Sequence, residues 1–128
     1  MPKLLLVEHD PLQRKRIELG LRDRIPKLDL VFAGTLDEAG KALKDPDVRC
    51  VLGANAFPER EGGAAKSGAD LVEHAKRSAS NVPVIIHDES ISADARRKLL
   101  AMGARAVHER RELMSLTMPK LRKYLQPA

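Results

Sequence analysis

Short apolar runs punctuate the chain at residues 4–7, 30–32, 50–52, 84–86 and 106–107, and stretches of helical spacing separate them. Runs this short, near-continuous and rich in branched side chains predict strands buried on both faces, as in a parallel sheet covered by helices. Between them the helix signals are local. Asp10 can cap a helix that has Pro11 at its first position, and Leu12, Ile17, Leu21 and Ile25 follow as its apolar face, with Pro26 ending it. Thr35 to Glu38 and Ser67 to Asp70 are capping-box patterns that open two more helices. Ser92 caps a fourth carrying Leu99, Leu100 and Met102, which stops at Gly103. The last is basic, with Met118, Leu121 and Leu125 inward. Pro119 belongs in its first turn, because mid-helix it would cost roughly 3 kcal/mol. The central strand is expected to break at Gly53 and Ala54, and the polar stretch 59–67, with two adjacent glycines, reads as a mobile loop. Five strands alternating with five helices and no internal repeat predict one doubly wound α/β domain over 1–128, a three-layer α/β/α sandwich.

Composition narrows the function classes. Of 128 residues, 43% are hydrophobic and 32% charged, ordinary for a soluble chain with one core. The only aromatics are Phe32, Phe57 and Tyr124, too few for the stacking platforms of single-strand nucleic-acid modules. The lone Cys50 lies in an apolar run, so no disulfide framework exists, and a buried, unreactive thiol is expected. Four or five apolar residues before the first charge cluster are too few for a signal peptide or membrane span, so a cytoplasmic location is expected. The net charge of +5 is uneven: residues 96–128 hold nine Lys and Arg against Glu109 and Glu112. That asymmetry bears on partners rather than on fold.

In open parallel sheets, chemistry sits at the carboxyl ends of the strands. Here those ends read Glu8-His9-Asp10, Ala54, Asp88 and Arg110. The chain resembles the receiver domain of response regulators in two-component signalling along nearly its whole length. The resemblance is carried by LLLVEHDPLQR, TLDEAGKAL, the central strand ending in Pro58, PVIIHD and LLAMGARAV. It implies a flavodoxin-like five-stranded sheet in the order 2-1-3-4-5. It also implies a magnesium-binding acidic pair, a phospho-acceptor aspartate, a Thr or Ser ending the fourth strand, and a Lys, usually followed by Pro, ending the fifth.

Carried over position by position, those residues are altered. The acidic pair falls on Glu8 and His9, the acceptor on Ala54, the hydroxyl on Asp88, and the lysine on Arg110, followed by Arg111. The aromatic switch position is Val107. Phosphoryl transfer needs a nucleophile, a hard cation held by oxygens, and a cation on the transferring group. Ala54 removes the first, His9 weakens the second, and Asp88 repels the phosphoryl group. The expectation is a stand-alone pseudo-receiver of a two-component, phosphorelay-type pathway: no enzyme, no cofactor and no magnesium, acting through protein contact.

Several finer expectations accompany it. Asp88 and Arg110 can form an ion pair that freezes the sheet end. Asp10 or Asp88 is the alternative, displaced acceptor, with Glu8 and Asp10 as its weak magnesium ligands. Glu8, His9, Asp10 and Asp88 form a zinc- or manganese-like donor set only if all four converge; a solvated turn with Asp10 as a helix cap is the plainer reading. His87 and His108 are expected to pack toward helices. Arg96, Arg97, Arg105, Val107, Arg111, Lys120, Arg122 and Lys123 mark the fourth helix, fifth strand and fifth helix as a face for an acidic protein partner or a second copy. An ordinary solvated face competes with that reading. Nucleic-acid binding through phosphates is the weaker third, without a helix-turn-helix motif to support it, and no membrane partner is expected.

Overall fold

The computed structural model describes residues 2–78 and 81–126. Five parallel strands form the sheet: β1 (Lys3–Val7), β2 (Asp29–Ala33), β3 (Val48–Ala54), β6 (Val84–Asp88) and β7 (Ala106–Glu109). Two short strands, β4 (Ala56–Pro58) and β5 (Ala65–Ser67), form a separate antiparallel pair. The sheet order is β2-β1-β3-β6-β7, which is the expected 2-1-3-4-5 when the sheet strands alone are counted. The helices are α1 (Pro11–Arg24), α2 (Leu36–Ala42), α3 (Gly68–Lys76), α4 (Ala93–Met102) and α5 (Met118–Tyr124).

Period-two alternation splits each strand between two cores. Leu5, Val7, Val51, Ile86 and Val107 pack with Leu36, Ala39, Leu71, Val72 and Leu99 under α2, α3 and α4. Leu4, Leu6, Cys50, Leu52 and Ile85 pack with Ile17, Leu21, Met118 and Leu121 under α1 and α5. At roughly 1.5–3 kcal/mol for each fully buried aliphatic side chain, these two layers are the main favourable term of the fold.

Local chemistry starts the helices where expected. The Asp10 carboxylate accepts from the Leu12 N–H at 2.9 Å. Thr35 Oγ1 accepts from the Glu38 N–H at 3.1 Å, and Asp70 reaches back to the Ser67 N–H at 2.9 Å. Ser92 Oγ accepts from the Ala95 N–H at 3.1 Å, and Gly103 ends α4 with φ 118°, a left-handed conformation suited to glycine.

Four expectations are corrected. Leu12 is 58% exposed and off the buried face. At about 100° per residue, Ile17, Leu21 and Ile25 share a face, but Leu12 lies on the opposite side from Leu21. Leu100 is likewise exposed, next to buried Leu99.

The central strand does not break at Gly53. It runs through Ala54, with Gly53 in register between Val7 and Ile86. Glycine is needed there for space: a Cβ would overlap the Leu71 side chain that packs over the strand.

The stretch 59–67 is a hairpin rather than a mobile loop. Phe57 pairs with Lys66, Glu59 N–H donates to the Ala64 carbonyl at 2.8 Å, and the Asp37 N–H ties Glu59 to α2 at 2.9 Å.

The final helix begins upstream of its α segment, as a 3-10 turn (Arg110–Glu112) and a π turn (Leu113–Thr117). Pro119 does lie in the first turn of α5. The widened turn, in which the Met118 N–H reaches Leu113, immediately precedes the residue that has no N–H to give.

Cys50 is fully buried, and burial pushes its thiol up to about 12. A thiolate is the reactive form. The native protein therefore leaves a thiol reagent such as Ellman's reagent unconsumed at pH 8 and reacts stoichiometrically in denaturant. Rapid native labelling at an unchanged fold would contradict this burial.

Candidate functional site at the carboxyl edge of the sheet

The ends of β1, β3 and β6 bring Glu8, Ala54, His87 and Asp88 to one edge, with Arg110 just past β7. The register makes this explicit: Ala54 pairs with His87, His87 with His108, and Asp88 with Glu109. Ala54 is buried, at 6% exposure, so the end of the central strand offers no nucleophile and little open surface.

Glu8 is also buried. Its carboxylate accepts from the Asp10 N–H at 3.2 Å, and burial raises its pKa, with Arg110 pulling the other way. His9 points elsewhere. It is exposed, with Nδ1 3.1 Å from the Gly34 carbonyl oxygen and 3.7 Å from the Glu61 carboxylate at the hairpin tip.

Asp88 and Arg110 do not form the expected ion pair. Asp88 Oδ1 instead accepts from the neighbouring Glu89 N–H at 2.8 Å. Arg110 lies beyond the β6–β7 register, where Glu109 stands opposite Asp88, and opens the 3-10 turn. Its Nε is buried without a hydrogen-bond partner among the described residues.

The four-residue donor set does not assemble either. Glu8 is turned inward, Asp10 caps α1, His9 lies against Gly34, and Asp88 folds onto its own turn. Among the described residues no three His, Cys, Asp or Glu side chains converge on one point. A magnesium ion takes near-octahedral oxygen ligands, and one buried carboxylate beside an outward imidazole does not fit it.

Of the two strand histidines, His108 packs against the turn that precedes α5, as expected, whereas His87 lies buried at the strand-end edge between Ala54 and His108 in the sheet register. His108 is buried and its Nδ1 lies 2.7 Å from Thr117 Oγ1 in the π turn. Burial lowers its pKa, with Glu112 opposing. His87, 3% exposed, is the sharper case: Nε2 has no partner among the described residues, and burial, assisted by Arg110, lowers its pKa to about 4. An unpaired polar group in a core costs roughly 1–3 kcal/mol, and the sequence carried no sign of this one beyond a histidine in an apolar strand.

The basic surface is partly as expected. Arg97, Arg105, Arg111, Lys120, Arg122 and Lys123 are exposed, and Arg96 is half-buried, donating to the Val107 carbonyl at 2.9 Å. Several charges are locally compensated: Arg97 and Lys98 by Asp94, Arg111 by Glu109, and Arg96 by Glu112. Arg105 stacks on Tyr124 with its guanidinium 5.6 Å from the ring centre, while Arg122 bonds the Arg24 carbonyl at 3.0 Å. Val107 does not belong to this surface. Alternation along β7 turns it into the core, where it is 3% exposed.

The fold is that of response-regulator receiver domains. The receiver domain of Francisella response regulator 1452 superimposes with a TM-score of 0.79 at 16% identity, covering 98% of this chain and 97% of that one. The beryllofluoride-activated N-terminal receiver domain of Klebsiella pneumoniae RstA gives 0.77 at 18%, covering 98% and 99%. The non-phosphorylated receiver domain of HemR from Leptospira biflexa gives 0.72 at 21%, covering 100% and 97%. No family model and no curated protein matches the sequence. None of the helices is long and apolar enough to cross a membrane, among the described residues.

Proposed function

We propose that this receiver-fold chain is a module of two-component, phosphorelay-type signalling that works by protein–protein contact, without phosphorylation at the end of its central strand. The observation that carries the reading is Ala54, buried at the position where the fold would present a nucleophile. The surroundings support it: Asp88 puts a carboxylate where a phosphoryl group would need a donor, and Arg110 is not held against it. In this reading the chain is no enzyme and uses neither magnesium nor another cofactor. Its output is a surface, and the α4–β7–α5 face supplies one. Lys120 and Lys123 there have no carboxylate within 4.0 Å among the described residues, which suits an acidic protein partner. A second copy of this chain is disfavoured on that face by like charge.

Phosphodonor treatment tests the reading. With acetyl phosphate or beryllofluoride plus magnesium, intact mass is expected to stay unchanged, and amide resonances at Glu8, Ala54 and Asp88 are expected not to move. A stable adduct mapping to Asp10 or Asp88 would replace the proposal with a displaced acceptor. A gel shift with duplex DNA that vanishes steeply with salt would favour phosphate-backbone binding instead.

A further inference from the structure

We propose that a cleft between α1 and the 3-10 and π turns is a binding site for a small phosphomonoester, separate from the strand-end pocket. The cleft is open to solvent, about 490 Å³, and is lined by Gln13, Arg16 and Ile17 from one side and by Glu89, Arg110, Arg111 and Leu113 from the other. Glu8, His9, Ala54 and Asp88 take no part in it. Arg110 and Glu89, whose N–H bonds Asp88, link it to the sheet edge, but the site goes beyond the signalling reading and does not depend on it.

The charge balance selects the ligand. Arg111 is held by the Glu109 carboxylate at 2.7 Å. Among the described residues neither Arg16 nor Arg110 has a carboxylate within 4.0 Å, although both border the cleft with Glu89. Arg110 Nε is buried and without an acceptor among the described residues, so a ligand in the cleft would meet the terminal nitrogens of that guanidinium. Two guanidiniums without an ion pair suit a phosphomonoester, which carries about −1.5 to −2 at neutral pH, better than a single carboxylate. Their planar forks match phosphate oxygens in paired hydrogen bonds. The rest of the lining describes the ligand's body: Ile17 and Leu113 offer apolar contact, and the Glu89 carboxylate accepts from a hydroxyl or amino group. A phosphate ester of a hydroxylated or amino-bearing ring satisfies all three features.

Amide NMR titration of the full chain at physiological salt, with inorganic phosphate, adenosine 5′-monophosphate and adenosine as separate probes, tests this. The monophosphate is expected to give saturable shifts centred on Gln13, Arg16, Arg110, Arg111 and Leu113, phosphate weaker shifts at the same amides, and adenosine none. Arg16 is exposed on α1, so Arg16→Gln preserves the fold. Losing one charge-assisted contact is expected to weaken binding about tenfold. Arg110→Gln should do the same, while Lys120→Gln on α5 should leave affinity unchanged. Three results would overturn the site: no saturable shift with either phosphate probe, equal weakening by Lys120→Gln and Arg16→Gln, or shifts centred on Glu8, Ala54 and Asp88.

Discussion

Replacing His87 with leucine is expected to remove an acid sensitivity worth about 2 kcal/mol between pH 7 and pH 5, rising to about 3 kcal/mol by pH 4. In the folded protein the imidazole is buried, its Nε2 has no partner among the described residues, and it stays neutral down to about pH 4, against an ordinary value of 6.5. Between those values the unfolded chain binds a proton that the folded chain refuses. Stability is therefore full above about pH 6.5 and drains away as pH falls toward 4. His108, also lowered by burial, acts in the same direction. Glu8 acts in the opposite one: its raised pKa makes the folded state the better proton acceptor, so acid relieves its burial. The difference between wild type and His87→Leu isolates the His87 contribution. Urea unfolding of both proteins at pH 7 and pH 5 measures it, and parallel losses in the two would mean that His87 does not carry the effect. Removing an orphaned polar nitrogen should also leave the variant no less stable at pH 7, provided the leucine fills the imidazole's space.

Placing a carboxylate at the end of the central strand is expected to harm the protein rather than create a phosphorylation switch. Ala54→Asp places a second buried carboxyl group at a strand end where Glu8 is already buried and raised. Burying an unpaired charge costs several kcal/mol, much of which is avoided by protonation. The variant should thus lose about 3 kcal/mol at pH 7 and noticeably less at pH 5, the reverse of the His87 trend. Incubated with acetyl phosphate and magnesium, it should show no phosphoryl mass gain, because His9 faces Gly34 and Asp88 still presents a carboxylate. A fully stable Ala54→Asp protein that takes up phosphate would mean that Ala54 alone bars phosphorylation at this strand end. The surrounding pocket would then have to be regarded as competent.

Much of this architecture was written in local signals. The capping groups of Asp10, Thr35 and Ser92 act within three residues of themselves, so spacing alone locates them. The five apolar runs likewise define strands buried on both faces, because only helices on both sides can cover them. The hairpin at 59–67 was not legible, since its polar, glycine-containing sequence carries no strand pattern and part of its support is the Asp37 contact on α2, twenty-two positions before Glu59. Gly53 looked like a strand end because glycine weakens strands in general. Leu71, eighteen positions later and on another element, is what requires it.

The sequence by itself determined the alternation of strands and helices, the identity of the residues at each strand end, and above all that the central strand closes on an alanine. Those are properties of composition and order along one dimension. Only the tertiary structure decided how the polar residues at that edge are used. It decided that Asp88 bonds its own turn instead of Arg110, that His9 faces the hairpin, that Val107 is core and not surface, and that His87 is buried. It also placed Arg16 and Arg110, ninety-four positions apart, beside one cleft. The reason is physical: burial and ion pairing depend on which groups share a few ångströms of space, and in a doubly wound sheet that sharing is set by crossover connections rather than by neighbours in the chain.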